Sequence, residues 1–458
     1  MNMQTEKETR MGTERISKLM LSMAVPSIIA QVINVLYSIV DRIYIGHIEG
    51  VGAAALTGVG LTFPVITLIS AFSAFVGMGG APLAAIWLGK GDRVRAEKIL
   101  GSGACLLGIF TVALMALFYL FQRPFLYMFG ASDATIGYAM EYLSIYLVGT
   151  LFVELALGLN PFIISQGQSR IAMLSIVIGA AINIVLDPVF IFVFGWGVKG
   201  AAIATVLSQA VSAAWNVGFL MGKKSSLRLL GKRIRPDCHI MGQICALGIS
   251  PFIMRSTESL ISIVLNRQLQ IYGGDLYVGS LTIMQSVLQL FSAPLSGFTQ
   301  GVQPIVSYNY GAGNFARTKK LCCSMIGISF LISFVSNLTA MVFPGFYASL
   351  FTNDAQLIGL VDRIMPVFLF GMLFFGIQNG IQPCFLSLGQ AKVSLFIAML
   401  RKVILLVPLA LIFPLFWGVM GIYYAEPVSD IISVLVATTL FALNINKILS
   451  REYLERIR

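Results

Sequence analysis

Twelve apolar runs, each about as long as a helix needs to cross a hydrocarbon core, leave this chain little choice of fold. They lie at roughly 17–43, 52–77, 97–121, 134–157, 169–194, 198–221, 240–270, 277–303, 319–344, 356–382, 394–416 and 420–445. Inside a bilayer no water satisfies the backbone, so runs of this length close their own hydrogen bonds as helices. Only 11% of the 458 residues are charged, against about a quarter in a soluble domain. The expected fold class is an all-α integral membrane protein with twelve transmembrane helices.

The net charge of +11 would suit a nucleic-acid binder, but the placement of the charges points elsewhere. Lys and Arg gather in alternate loops: Lys7, Arg10, Arg15 and Lys18 before the first run, and Lys90, Arg93, Arg95 and Lys98 after the second. Lys223, Lys224, Arg228, Lys232, Arg233 and Arg235 follow the sixth run, and Arg317, Lys319 and Lys320 the eighth. Lys447, Arg451, Arg456 and Arg458 end the chain, while Arg42, Arg123, Lys199, Arg267 and Arg363 fall on the other side. By the positive-inside rule both termini are cytoplasmic. The first run has no small-residue cleavage motif and reads as a retained helix; the lack of targeting extensions suits a prokaryotic cytoplasmic membrane. Six scattered cysteines and two histidines, His47 and His239, supply neither a disulfide framework nor a zinc or haem centre.

Shifted by about 222 residues, the sequence matches itself. Gly89-Lys90-Gly91-Asp92 with Arg95 returns as Gly311-Ala312-Gly313-Asn314 with Arg317. Asn160-Pro161 with Gly167-Gln168 returns as Gln382-Pro383 with Gly389-Gln390, and Trp196-Gly197-Val198 as Trp417-Gly418-Val419. The expected organisation is an N-terminal six-helix lobe (1–222), a basic cytoplasmic linker (223–239) and a C-terminal six-helix lobe (240–458). An even helix count per lobe makes this a parallel repeat, with the substrate path between the lobes.

Against this symmetry the buried charges stand out. Asn183 and Asp187 are four apart, so a helix places both on one face. Pro188 donates no backbone hydrogen and frees the Ile184 carbonyl. Acids at membrane depth are costly and mark functional sites by default; the bland alternative is an Asp-Pro kink bonded to a neighbouring helix. Asp41 is opposed by Asn266 in the repeat, Asp187 by Val407 and Thr205 by Glu426, so the N-terminal half alone keeps an acidic pair. Asp41 beside Arg42 also reads as an interfacial ion pair. Glu154 and Glu258 are candidates for a substrate or second coupling site, with an Arg255–Glu258 pair as the structural alternative. Arg401 and Lys402 are expected to snorkel to the cytoplasm, and Glu426 and Asp430 share a face. Pro26 is a candidate hinge, or a static kink.

With Pro26 and Asp41 on the first helix and the repeated G-x-G-(D/N)-x-x-x-(R/K) loops, the whole chain resembles the multidrug and toxic compound extrusion (MATE) family, and within it the bacterial multidrug-export subgroup. The resemblance implies a secondary antiporter that exports cationic, amphipathic drugs for inward H⁺ or Na⁺. It implies an N-lobe coupling-ion site at Asp41, Asn183, Asp187 and Thr205. Glu258 resembles the helix-7 acid of another branch, whose helix-10 acid has no counterpart among Gln378, Asn379 and Gln382. Two carboxylates in one dry site cannot both ionise cheaply, so they hold a proton or a cation between them, and oxygen ligands suit Na⁺ equally.

No enzyme activity and no cofactor beyond the coupling ion are expected. The expected partners are small-molecule cationic drugs and the lipid bilayer, with no nucleic acid, no obligatory protein partner and a monomeric state. Phe (32) and Met (20) suit a plastic pocket for flat cations. The alternative reading is a flippase for a lipid-linked oligosaccharide, which needs a strongly cationic central cavity. An ATP-driven pump is disfavoured by the absence of G-x-x-x-x-G-K-[ST] and of a sizeable soluble domain.

Overall fold

The computed structural model describes residues 10–50, 52–129, 131–133 and 135–455, and all regular structure among them is helical. Lys7, Arg456 and Arg458 of the basic set lie outside the described residues. The first three helices are α1 (Ile16–Gly46), α2 (Phe63–Gly89, preceded by a short turn of helix at Gly52–Gly60) and α3 (Arg93–Met128). The fourth is a bent pair, α4a (Ile136–Val148) and α4b (Thr150–Ser165), followed by α5 (Ser169–Pro188) and α6 (Gly197–Met221). The second half repeats the order: α7 (Cys238–Gly273), α8 (Asp275–Gly311), α9 (Phe315–Val342), α10a (Ala355–Leu369) with α10b (Met372–Ser387), α11 (Ala391–Met399, continued to Ile412) and α12 (Val419–Ile448).

Among the described residues nine helices are long and apolar enough to cross a membrane, and the two bent pairs bring the number to eleven. The remaining long helix, α7, has 36 residues but carries Arg255, Glu258 and Arg267. Several helices overrun their apolar runs: α3 reaches Met128 where the run ends near 121, and the second apolar span continues to Gly89. Interfacial residues and loop caps extend a helix beyond the hydrocarbon core. Asp92, for example, accepts from the Arg95 N–H at the start of α3.

The fourth and tenth runs, expected as single helices, are broken by 59° and 45°. Gly149 sits at the first break and Gly371 at the second, at equivalent positions of the repeat. A Cβ on Gly149 would lie 2.4 Å from the Val206 side chain of α6, and one on Gly371 would lie 2.6 Å from Asp430 Cβ of α12. Each break thus falls where a neighbouring helix presses on bare backbone, which hydropathy does not reveal.

The same pairing operates across the two halves. A Cβ on Gly79 of α2 would meet the Ile244 carbonyl of α7 at 2.4 Å, and one on Gly301 of α8 would meet Met23 and Ala24 of α1 at 2.7 Å. Between lipid-bathed helices, close backbone approach at small residues replaces the hydrophobic drive available in water. Pro26 is buried within α1, which continues through it as one helix, close to this α1–α8 seam. Phe252 of α7 adds an aromatic contact, its ring 4.9 Å from Phe72 and 5.6 Å from Phe75 of α2.

The seam predicts a contrast. Gly79→Ala is expected to lower the thermal unfolding midpoint in detergent, because overpacking costs about 1–3 kcal/mol. Gly108→Ala, with nothing within 4 Å of the added carbon, is expected to leave the midpoint level or raise it, since Ala replaces Gly in a helix. Equal midpoints for the two variants would show that the α2–α7 approach does not hold the halves.

Buried apolar side chains form three clusters. One draws on both halves, from Met11 through Trp87, Leu227 and Tyr310 to Ile448. The others are private: one runs from Ile45 to Ala202, the other from Leu265 to Ala425. The shared cluster lies beneath the basic loops. There Lys90 donates to the Leu454 carbonyl at 3.1 Å, Asn309 to the Met11 carbonyl at 3.0 Å, and Arg93 to the Ser225 carbonyl at 3.3 Å. Glu97 of α3 binds Arg93 and Arg233, tying down the linker. The halves are packed together at the end where the basic segments meet, and each keeps its own core at the other end.

Candidate functional site

Helix α5 presents Asn183 and Asp187 on one buried face, as their four-residue spacing predicts, with Asp187 fully buried. Asn183 Nδ2 donates to Asp187 Oδ1 at 3.2 Å. Past Pro188 the backbone winds as a π-helix over Val189–Val193, a widening that recurs near functional sites. Helix α1 brings Asp41 against Asp187, carboxyl to carboxyl. Arg42 lies 4.3 Å over the Phe63 ring and makes no ion pair within 4 Å of Asp41, although its charge still acts on that acid. Thr205 of α6 is reached through the Tyr142 hydroxyl.

The oxygens define the chemistry. Asp41 Oδ1, Asn183 Oδ1 and Asp187 Oδ2 are all buried, and none accepts a hydrogen bond from any described residue. Buried acceptors are normally paired, and two facing carboxylates repel unless something positive lies between them. Two facing acids, with an unpaired amide oxygen on the neighbouring Asn183, suit a shared proton or a small hard cation. Tyr37 and Tyr142, absent from the sequence-derived set, complete the wall: Tyr37 lies beside Gln209 of α6 and adjoins both acids. Tyr37 precedes Asp41 by one helical turn, which is the signal available in the sequence; Tyr142 arrives from another helix and has none.

Glu154 of α4b is fully buried, beside Ser73, and neither of its carboxyl oxygens is bonded to a described residue. It sits on α4b near Tyr146, which in turn neighbours Tyr37. A central cavity of about 120 Å³ is lined by Gln31, Asn34 and Tyr37 from α1, Arg255 from α7 and Gln300 and Gln303 from α8. Gln31 donates to Gln300 at 3.0 Å across the two halves.

The second half carries a different set, and here two expectations are corrected. Arg401 and Lys402 do not snorkel to a membrane surface; both are buried. The π-helical stretch Leu400–Leu406 turns them inward. Arg401 binds Glu426 at 2.8 Å and Asp430 at 2.5 Å, and lies over the Phe375 ring. Lys402 takes the Glu258 carboxylate at 3.0 Å and the Met254 carbonyl at 2.9 Å. Glu258 is therefore paired with Lys402 and not with Arg255, which lines the central cavity instead. Glu258, Lys402, Arg401 and Glu426 line a cavity of about 560 Å³ with Gln289 and Asn379, within the size range of drug-sized ligands. Gln378 accepts from Ser433, and Gln382 donates to Ser250.

Known proteins bear out this architecture. The chain is 25% identical over 425 residues to the multidrug export protein MepA of Staphylococcus saprophyticus, and 24% over 423 residues to that of Staphylococcus haemolyticus; each match covers 92% of both chains. The fold matches the crystal structure of MATE in the bent conformation with a TM-score of 0.90 at 23% identity, over 97% of this chain and 98% of that one. It also matches an outward-facing MATE transporter at 0.88. The MatE family model matches residues 26–189 and again 252–412, one stretch in each half. The chain belongs to the MatE family and is a multi-pass transporter of the bacterial cell membrane, not an enzyme.

Proposed function

We propose that the protein is an antiporter that exports cationic, amphipathic small molecules in exchange for inward H⁺ or Na⁺. Its twelve helices form two lobes, 1–222 and 240–458, joined by the basic linker 223–239, with both termini cytoplasmic. Each lobe's private core at one end, and the shared core under the basic loops at the other, support a molecule that rocks about a common base. The two-stretch family match supports the parallel repeat, and the named activity of the MepA relatives supports export of drugs.

One observation carries the coupling: Asp41 faces Asp187, and a buried oxygen on each of Asp41, Asn183 and Asp187 accepts from no described residue. Binding a cation there relieves repulsion between the acids and biases α1 against α5, and differential binding of this kind can drive a two-state change. Pro26, on the same helix, is the proposed bending point. The flippase reading gains no support, since its pyrophosphate needs a strongly cationic path; Glu258 and Glu426 here share their cavity with Arg401 and Lys402.

Purified protein in liposomes loaded with a fluorescent organic cation tests the proposal. Export is expected under one imposed gradient, H⁺ or Na⁺, and is expected to be lost in Asp41→Asn. Movement that ignores both gradients, or survives unchanged in Asp41→Asn, overturns it.

A further inference from the structure

Glu258, Glu426, Arg401 and Lys402 line the second cavity, and Asp430, fully buried, backs Arg401. Arg401 is fixed by two carboxylates and a ring, but Lys402 is held differently. A lysine is a point charge on a flexible stem, without the geometric lock of a guanidinium fork. Its carboxylate partner, Glu258, lines the cavity and is 70% exposed, while the lysine itself is 7% exposed. The ammonium thus reaches out of the wall to occupy the more exposed of the two acids that line the cavity.

We propose that Lys402 is an internal competitor for substrate: its ammonium occupies the Glu258 carboxylate in the empty protein, and an organic cation binds in this cavity by displacing it. The displaced ammonium has somewhere to go. Glu426 lines the same cavity, and its Oε2 is buried without a hydrogen bond to any described residue. That second acceptor matters, because a buried ammonium stripped of every partner would be prohibitively costly. Lys402 sits in the π-helical stretch of α11, where looser winding suits a change of partner. A cation gains the Glu258 carboxylate by evicting the lysine, whereas a neutral molecule gains nothing from it. Phe291, Phe368 and Phe375 supply the apolar remainder of the wall. Substrate strength is therefore set by how far a cation outbids a tethered ammonium, which favours broad, weak specificity.

This inference rests on the reading of the protein as an exporter of organic cations, and equilibrium binding separates the two. Radiolabelled tetraphenylphosphonium would be dialysed against the purified full chain in detergent. Lys402→Met is expected to bind the probe about tenfold tighter than wild type, Lys402→Arg no tighter than wild type, and Glu258→Gln more weakly. In a Glu258→Gln background, Lys402→Met is expected to bring no gain. Unchanged or weaker binding by Lys402→Met overturns the proposal, as does an equal gain with and without Glu258, an equal gain in Lys402→Arg, or no binding by any variant. Lys402→Gln carries the same arms should Lys402→Met not fold to a single species. Gradient-driven export by wild type with no effect of these variants on binding removes the competitor and leaves the antiporter. Tighter binding by Lys402→Met without gradient-driven export does the reverse.

Discussion

Asp187→Asn is expected to cut gradient-driven export about 5–150-fold, the range that a coupling free energy of about 1–3 kcal/mol spans. The variant should insert and fold as well as wild type or better. An asparagine is the same size, and its side-chain oxygen can still accept from Asn183 as Asp187 Oδ1 does at 3.2 Å. What disappears is the buried charge that faces Asp41. Without it the site no longer requires a positive partner, so the ion gradient loses its grip on α5. Exchange of drug down its own gradient should persist, because the second cavity and its Glu258 are untouched. The measurement is export from loaded liposomes with and without the ion gradient, alongside a thermal melt in detergent. A wild-type rate under the gradient would remove Asp187 from coupling; a collapsed melt would assign it to the packing of the N-terminal half. Asp187→Ala is less informative, since it also leaves the Asn183 amide without an acceptor.

How much of this was legible beforehand follows from how local each signal is. Asn183 and Asp187 are four apart on one helix, so their shared face needs only helical geometry. The repeat was visible because loop glycines and prolines, unlike apolar residues, are too specific to match by chance. The approach of Asp41 to Asp187 is tertiary, and only the family resemblance supplied it. Tyr142 reaches Thr205 from a helix that bends at Gly149, and neither the bend nor the reach leaves a trace in hydropathy. Arg401 and Lys402 show the same limit. Counted along a regular helix and judged by charge alone, they belong at the membrane surface; a π-helical stretch rotates them inward, and three acids from two other helices receive them. A periodicity argument assumes 3.6 residues per turn and fails where that winding fails.

Arg401→Met is expected to be the most destabilising single change in the C-terminal half, costing about 3–5 kcal/mol, as removal of one partner from a buried ion pair does. Arg401 is 7% exposed, and its guanidinium joins Glu426 at 2.8 Å to Asp430 at 2.5 Å while covering the Phe375 ring. Methionine fills much of the same volume but strands two buried carboxylates one turn apart on α12, each already carrying an oxygen with no hydrogen bond to a described residue. Like charges at that spacing repel, and Asp430, fully buried and outside the cavity lining, is left with no other basic partner among the described residues. The cost lies in the orphaned acids and not in any large net value of the intact network, because the energy of burying three charges offsets most of their mutual attraction. The triple variant Arg401→Met/Glu426→Gln/Asp430→Asn should therefore recover most of the loss, although it contains more changes than the single one. Thermal unfolding of the three proteins in one detergent decides the matter. A triple variant no more stable than Arg401→Met would mean that the guanidinium acts mainly through its packing on Phe375. An Arg401→Met protein as stable as wild type would mean that the acids are held by something other than this arginine.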